Sequence, residues 1–399
     1  MSVSIGSLLG SPGPEFHIAA VHNPAPTCTL LDEQDNFADY VSLLESETSF
    51  NATALTACRV QICNAIYGYG NPDISGIGVA VTYVMEAALG FLLSFAVILV
   101  RHRTGPRSRE TRAVLTSGLR AFFYSAVYFA LAMQLATIYV LARKDYGLGT
   151  ADFGALETQI AQVVAFVSLL PLLYPAALLE SADAGWRQNE RLLLLSLTVA
   201  LSFYPFLSRC LRAFGGTMIG DGEGAVVEAG TWAEVERMCF VDGLDGLREN
   251  GIFDALPWLQ LFASLWTYLF TFWLLGALPG RPAESGASAA AEGCDEVKGR
   301  RRRVLGDARM RLNMWFGGHA FAAAAPLFII LGLTAPMLWV IFHLRVLQED
   351  LAKRADLSYG GNEWGFGQVV SIVLFVPVGV EMLYRWRFGA AFGGIVVKD

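Results

Sequence analysis

Few side chains able to move a proton fall inside the apolar runs of this 399-residue chain, and Glu86 is the deepest of them. It stands near the middle of a run over 76–100, one turn beyond Tyr83. An ionisable group in hydrocarbon is costly and marks a functional position by default. A carboxyl held there can act as a general acid. His319 lies one turn inside the start of a later run over 315–344, and His343 closes that run, where it is expected to reach the interface. Glu381, near the end of the last run and close to Arg385, reads as a paired, snorkelling end group.

Uncharged polar and aromatic groups accompany these acids. Tyr83, Tyr124, Tyr128, Gln134, Tyr204, Trp266, Tyr268 and His319 are expected to line a chamber around Glu86. Tyr124 and Tyr128 are a turn apart and so share a helix face. The plainer alternative is packing, because glutamine and tyrosine often join helices in lipid. Trp258 and Trp273 fit an interfacial belt.

The elements that must hold these residues follow from hydropathy. Hydrophobic residues make up 54% of the chain and charged ones 16%, against about 25% charged in soluble domains. The shortfall fits a surface that faces lipid. A bilayer core needs about 20 apolar residues per helix. Seven runs qualify, over 76–100, 119–142, 160–179, 192–212, 256–278, 315–344 and 366–384. The predicted fold is all-α: a seven-helix domain over 76–384, a tail over 1–75 and a short C-terminal tail over 385–399. Runs three and four are separated only by 181–190, and a re-entrant pair there would leave five spans. Pro171, Pro175, Pro205, Pro326, Pro336 and Pro377 are expected to interrupt their helices and open a cavity.

Basic residues set the expected orientation. Arg101, Arg103, Arg107, Arg109 and Arg112 follow the first run, Arg187 and Arg191 the third, and Arg300 to Arg303 stand in the loop over 279–314. The loop over 213–255 carries nine carboxylates, and residues 1–58 hold no lysine or arginine. The N-terminus is therefore expected outside and the C-terminus in the cytoplasm. Asn51-Ala52-Thr53 is a glycosylation acceptor on the expected outer side. Cys28, Cys58, Cys63 and Cys239 fall on that side too, where disulfides form, and three pairings are open.

Several chemistries are excluded. A retinal Schiff base needs a lysine in the bundle, and Lys144, Lys298, Lys353 and Lys398 all lie outside the runs. A net charge of −7 without a basic face argues against nucleic acid. The chain has no P-loop, HExxH or GxSxG sequence, and Asp242-Gly-Leu-Asp245 is the nearest approach to a diphosphate-binding aspartate pair. No metal or cofactor is expected. The expected partners are the bilayer and a lipophilic small molecule.

The segment Asn71-Pro72-Asp73-Ile74-Ser75-Gly76-Ile77-Gly78-Val79 is the most distinctive in the chain. It resembles a signature of multi-pass membrane proteins of filamentous fungi. Asn-Pro-Asp makes a turn, Asp73 or Ser75 is expected to cap the first span, and two glycines permit close helix contact. In span number and in the lone buried acid of the first span, the chain also looks like the heptahelical terpene cyclases of fungal meroterpenoid pathways. Those use membrane carboxylic acids to protonate an epoxide or alkene, and this chain is much longer. Three functions stay open: a membrane protein of terpenoid-type secondary metabolism with Glu86 as acid, a heptahelical receptor or sensor, and a transporter or scaffold. The membrane is that of the endoplasmic reticulum or the cell surface.

A reporter fused after Asp399 is expected in the cytoplasm, with the tail ahead of Gly70 lumenal and a glycan on Asn51. Digestion of tail epitopes by protease added outside sealed microsomes would reverse the handedness.

Overall fold

The computed structural model describes residues 56–101, 105–145, 155–180, 186–214, 235–240, 251–276 and 320–392. Asn51, Cys28 and His319 lie outside the described residues. The helices are α1 (Arg59–Tyr67), α2 (Ile77–Arg101), α3 (Pro106–Asp145), α4 (Ala155–Val167), α5 (Leu170–Glu180), α6 (Trp186–Leu201), α7 (Phe203–Phe214), α8 (Ile252–Gly276), α9 (Ala320–Arg354), α10 (Phe366–Val373) and α11 (Val376–Phe392). One helical turn at 235–239 and a 3₁₀ turn at Gly360–Asn362 complete the regular structure among the described residues.

Seven segments are long and apolar enough to cross a membrane. They are α2, α3, α4 with α5, α6 with α7, α8, α9, and α10 with α11. The third and fourth runs are separate full-length segments rather than a re-entrant pair. The sixth differs most from expectation. It continues to Arg354, three turns past the expected end, so His343 stacks on Trp339 within the helix instead of closing it. Basic residues 107, 109 and 112 likewise belong to the first turns of α3, which opens on Pro106 where a missing N–H costs nothing.

The third span is the hub. Its apolar window is 89% buried, against 22–56% for the others. A helix apolar on every side belongs inside a bundle, and α4–α5 packs against α2, α3, α8 and α9. Proline shapes this hub. Pro171 has no N–H and crowds the carbonyl four residues earlier, and the helix breaks there between Val167 and Leu170. Leu169 N–H turns to Phe166 and Leu172 N–H to Leu169, three residues back rather than four. The Ala165 carbonyl accepts instead from the Gln134 side chain of α3, and Thr137 of α3 donates to Ala161.

The same breakage recurs at Ser202 before Pro205, and at Leu374–Phe375 before Pro377. At the first of these, the Tyr268 hydroxyl of α8 donates to the Ser202 carbonyl at 3.2 Å. The expectation fails for Pro175, which stands inside α5, and for Pro326 and Pro336, which α9 contains without interruption. Neighbouring helices and small local adjustments let a membrane helix carry proline.

At the end of the bundle that carries the tail, α1 packs on α4, and Arg59 donates to the Ala355 carbonyl just past α9. Gly68 and Gly70 have φ of 88° and 87°. That left-handed backbone, open to glycine, turns the chain from α1 toward α2. A disulfide joins Cys63 of α1 to Cys239, and Tyr67 meets Phe240 edge to face beside it. Cys58 is also disulfide-bonded. Digestion without reductant is expected to release the Cys63 and Cys239 peptides as one linked species. Their recovery as two separately alkylated thiols in the unreduced protein would contradict this pairing.

Candidate functional site

Two carboxyl groups among the described residues are fully buried, and their settings are opposite. Glu157 stands in the first turn of α4 and was not among the residues expected to matter. Asn71 N–H donates to its Oε1 at 3.1 Å, the Ser75 hydroxyl lies 3.0 Å from the same oxygen, and Gln348 Nε2 of α9 donates to Oε2 at 2.9 Å. Gln348 Nε2 also reaches the Tyr67 carbonyl at 2.8 Å. Both oxygens thus act as acceptors, and one side chain gathers the lead-in to α2, the hub and α9.

The Asn-Pro-Asp segment supplies half of this arrangement. Asp73 N–H donates to Asn71 Oδ1 and Ser75 N–H to the Asn71 carbonyl, closing a tight turn. Ser75 does not cap α2, because its hydroxyl lies between Glu157 and the Asn71 carbonyl. The cap comes from another span: Gln368 Oε1 of α10 accepts from Gly78 N–H at 2.7 Å. Thr82 and Ser371 continue the contact one turn deeper, their hydroxyls 2.9 Å apart. A Cβ on Gly78 would lie 2.7 Å from Gln368, and one on Gly76 would overlap the Pro72 carbonyl. Both glycines are needed for this approach.

After α9 the chain returns to the same place. Leu357 N–H reaches back to Ala352 with Asp356 at φ 54°, a left-handed helix end. Gly360 N–H then donates to the Tyr69 carbonyl at 3.0 Å, and Arg345 of α9 donates to the Gly361 carbonyl at 3.1 Å. Burial raises the Tyr67 hydroxyl to about 12 although Arg59 pulls it down, and burial likewise raises Tyr359. Both phenols stay protonated at neutral pH.

Glu86 has no such partners. It lies on the interior stripe Val79, Tyr83, Glu86, Gly90, Leu93 and Val97 of α2, fully buried. Neither oxygen has a hydrogen-bond partner among the described residues. Tyr83, one turn away, donates to the Ile74 carbonyl at 3.1 Å. One turn further in, Gly90 admits the Pro171 carbonyl and the Phe122 ring, and a Cβ there would stand 3.2 and 3.1 Å from them. Ala87, Gly90, Pro171, Tyr174 and Thr334 border a hollow with about 10 Å³ free for a water centre. That is room for about one water.

The other described residues expected to line a chamber have contacts of their own. Gln134 holds the hub backbone, and Tyr268 holds α7 while packing on Phe206 at 5.6 Å. Trp266 leans on Phe270, and Tyr204 is half-buried on α7. Tyr128 is 52% exposed on the outer face of α3 and Tyr124 is half-buried, so this pair does not face a chamber with Glu86. Glu381 takes the expected end position, paired with Arg385 at 3.5 Å and accepting from Ser117 of α3. A wider hollow, about 570 Å³, is an open groove along α6 bordered by Leu192, Leu193, Ser196, Leu197 and Leu275. No cluster of metal-ligating side chains occurs among the described residues. No family model, no curated protein and no solved structure matches this chain.

The same substitution is expected to act differently at the two buried acids. Glu157→Gln replaces an acceptor oxygen by an amide donor that faces other donors, and is expected to cost about 2 kcal/mol. The check is the thermal midpoint of detergent-purified protein, compared with Glu86→Gln. Equal midpoints for Glu157→Gln and wild type would remove Glu157 from its structural role.

Proposed function

We propose that this chain is a multi-pass membrane protein of fungal small-molecule metabolism in which Glu86 is a general acid toward a lipophilic, terpenoid-type substrate. The observation that carries this reading is the bare carboxyl. An acid kept for packing has partners, as Glu157 and Glu381 do. Glu86 is buried in the bundle with neither oxygen engaged by a described residue. An unsatisfied buried group is a cost that calls for an explanation, and a catalytic role is one.

The chemistry needs little else. The Glu86 O–H bond breaks as its proton passes either to an alkene carbon, bound by the π electron pair, or to a lone pair of an epoxide oxygen, whose C–O bonding pair stays on oxygen as that bond opens. The cation left on carbon is stabilised by ring faces. The Phe122 ring stands against Gly90, and Phe129 stands against Tyr83 at 5.7 Å. Loss of a proton from the cyclised cation returns the acid. With room for about one water beside Gly90, such a substrate requires α2, α5 and α9 to part at the Pro171 break. In this reading the tail is lumenal and the C-terminus cytoplasmic, in the endoplasmic reticulum or plasma membrane.

A second reading is a heptahelical sensor, favoured by the closed interior and by the disulfide that binds α1 to the 235–240 segment. There Glu86 would shift the packing of the bundle on meeting its ligand, with no product formed.

Glu86→Gln keeps the shape of the side chain and cannot deliver a proton. The variant is expected to accumulate as wild type does while the product, followed by mass spectrometry of extracts from expressing cells, is lost. Full product formation by well-expressed Glu86→Gln would end the general-acid reading and leave the sensor.

A further inference from the structure

A second hollow lies across the hub from Glu86, between α4, α7 and α8. Phe166, Phe206, Arg209, Cys210, Gln260 and Ser264 border it. Gln260 is 1% exposed, and neither its Oε1 nor its Nε2 has a hydrogen-bond partner among the described residues. Gln162, equally buried, accepts from Arg209 at 3.3 Å, which leaves its Nε2 unpartnered. The Ser264 hydroxyl donates to the backbone carbonyl of Gln260 at 2.6 Å. The Gln260 amide thus offers this hollow an unmet donor and an unmet acceptor, and Gln162 Nε2, one turn before Phe166 on α4, is unmet as well.

The unmet groups define the complement. A hydroxyl has one O–H to give to Gln260 Oε1 and two lone pairs to receive from the amide N–H groups. A carboxylate has no proton for Oε1, and an ammonium has no lone pair for Nε2. The space is right for one oxygen, since the hollow leaves about 10 Å³ for a water centre. Its remaining walls, Phe166, Phe206 and Leu261, are apolar. The flanking surfaces of α7 and α8 expose Phe203, Leu207, Phe262 and Leu265. Cys210 ends the fourth apolar span and Gln260 stands in the second turn of the fifth, so these two groups lie toward one end of both.

We propose that this hollow binds the hydroxyl end of a lipophilic alcohol taken from the bilayer, whose apolar body lies along α7 and α8. The site does not involve Glu86 and stands whether or not Glu86 is an acid catalyst. One ordered water would meet the same polar groups, so the experiment must separate the two.

Cys210 is a free thiol on the wall of the hollow and reports its occupancy. Full-length protein in native membranes, carrying Cys294→Ser, is treated with N-ethylmaleimide in the presence of hexadecanol, farnesol or ergosterol, or of the methyl ether of each. At least one alcohol is expected to slow alkylation of Cys210 about tenfold, the effect of about 1.4 kcal/mol of binding, while its ether does not. Gln260→Leu is expected to abolish that protection, and Glu86→Gln to leave it intact. Should Gln260→Leu fail to accumulate, the alcohol and ether comparison on the Gln260 protein decides alone. Equal protection by alcohol and ether, or none by any alcohol, would mean that the hollow holds only water and would overturn the proposal.

Discussion

The carboxyl of Glu157 is the point on which the tail end of the bundle depends. It lies at the head of the hub helix and takes donors from the chain before α2 and from α9. These groups are far apart in sequence, with 86 residues between Asn71 and Glu157 and 191 between Glu157 and Gln348. Each would otherwise need water, and burial removes it. A buried acceptor that loses its donors costs more than the bonds themselves contribute. The three elements therefore hold together or separate together. The Cys63–Cys239 bridge adds a covalent tie outside this node and leaves its polar contacts unchanged.

A second constraint is the backbone's own demand for partners in lipid. Each helix break before Pro171, Pro205 or Pro377 weakens the regular ladder. Side chains from other spans make good part of the loss. Gln134 serves the Ala165 carbonyl, while the Ser202 carbonyl takes both Phe206 N–H and the Tyr268 hydroxyl. At the start of α2, Gln368 serves Gly78 N–H. Gln134 and Tyr268 looked like ligand contacts in the sequence, yet they are holding helices together. In a membrane the two roles use the same residue types, because both require a polar group turned inward.

This equivalence sets the limit of what the sequence revealed. Seven spans were legible because hydropathy is a bulk property of about 20 residues at a time. Which face of a span turns inward was not, since lipid and core are both apolar. Spacing correctly put Tyr124 and Tyr128 on one side of α3, but that side also carries exposed Leu135 and Tyr139, whereas Phe123, Val127 and Gln134 turn inward. The end of α9 was missed because Arg345, Gln348 and Glu349 look like a loop. The helix continues since Arg345 and Gln348 are buried against the tail end. Glu157 was overlooked for the same reason: it lies ahead of the apolar run, at the edge where polar residues are ordinary. Its one visible signal was the Asn71–Val79 segment, whose unusual polarity required a partner.

The hub helix also explains why two unmet polar sites can coexist in so closed a bundle. Phe166 borders the hollow near Gln260, and Pro171 borders the hollow near Glu86. Between them lies the turn at Ser168 and Leu169, where the Leu169 and Leu172 N–H groups reach back three residues rather than four. That stretch is the least regular part of the best-buried span. A close-packed wall cannot yield on one side without moving the atoms on the other. A regular helix would resist such movement along its whole length, whereas this one has its weak point level with both hollows. The Gln134 bond to Ala165 spans this same stretch and ties it to α3.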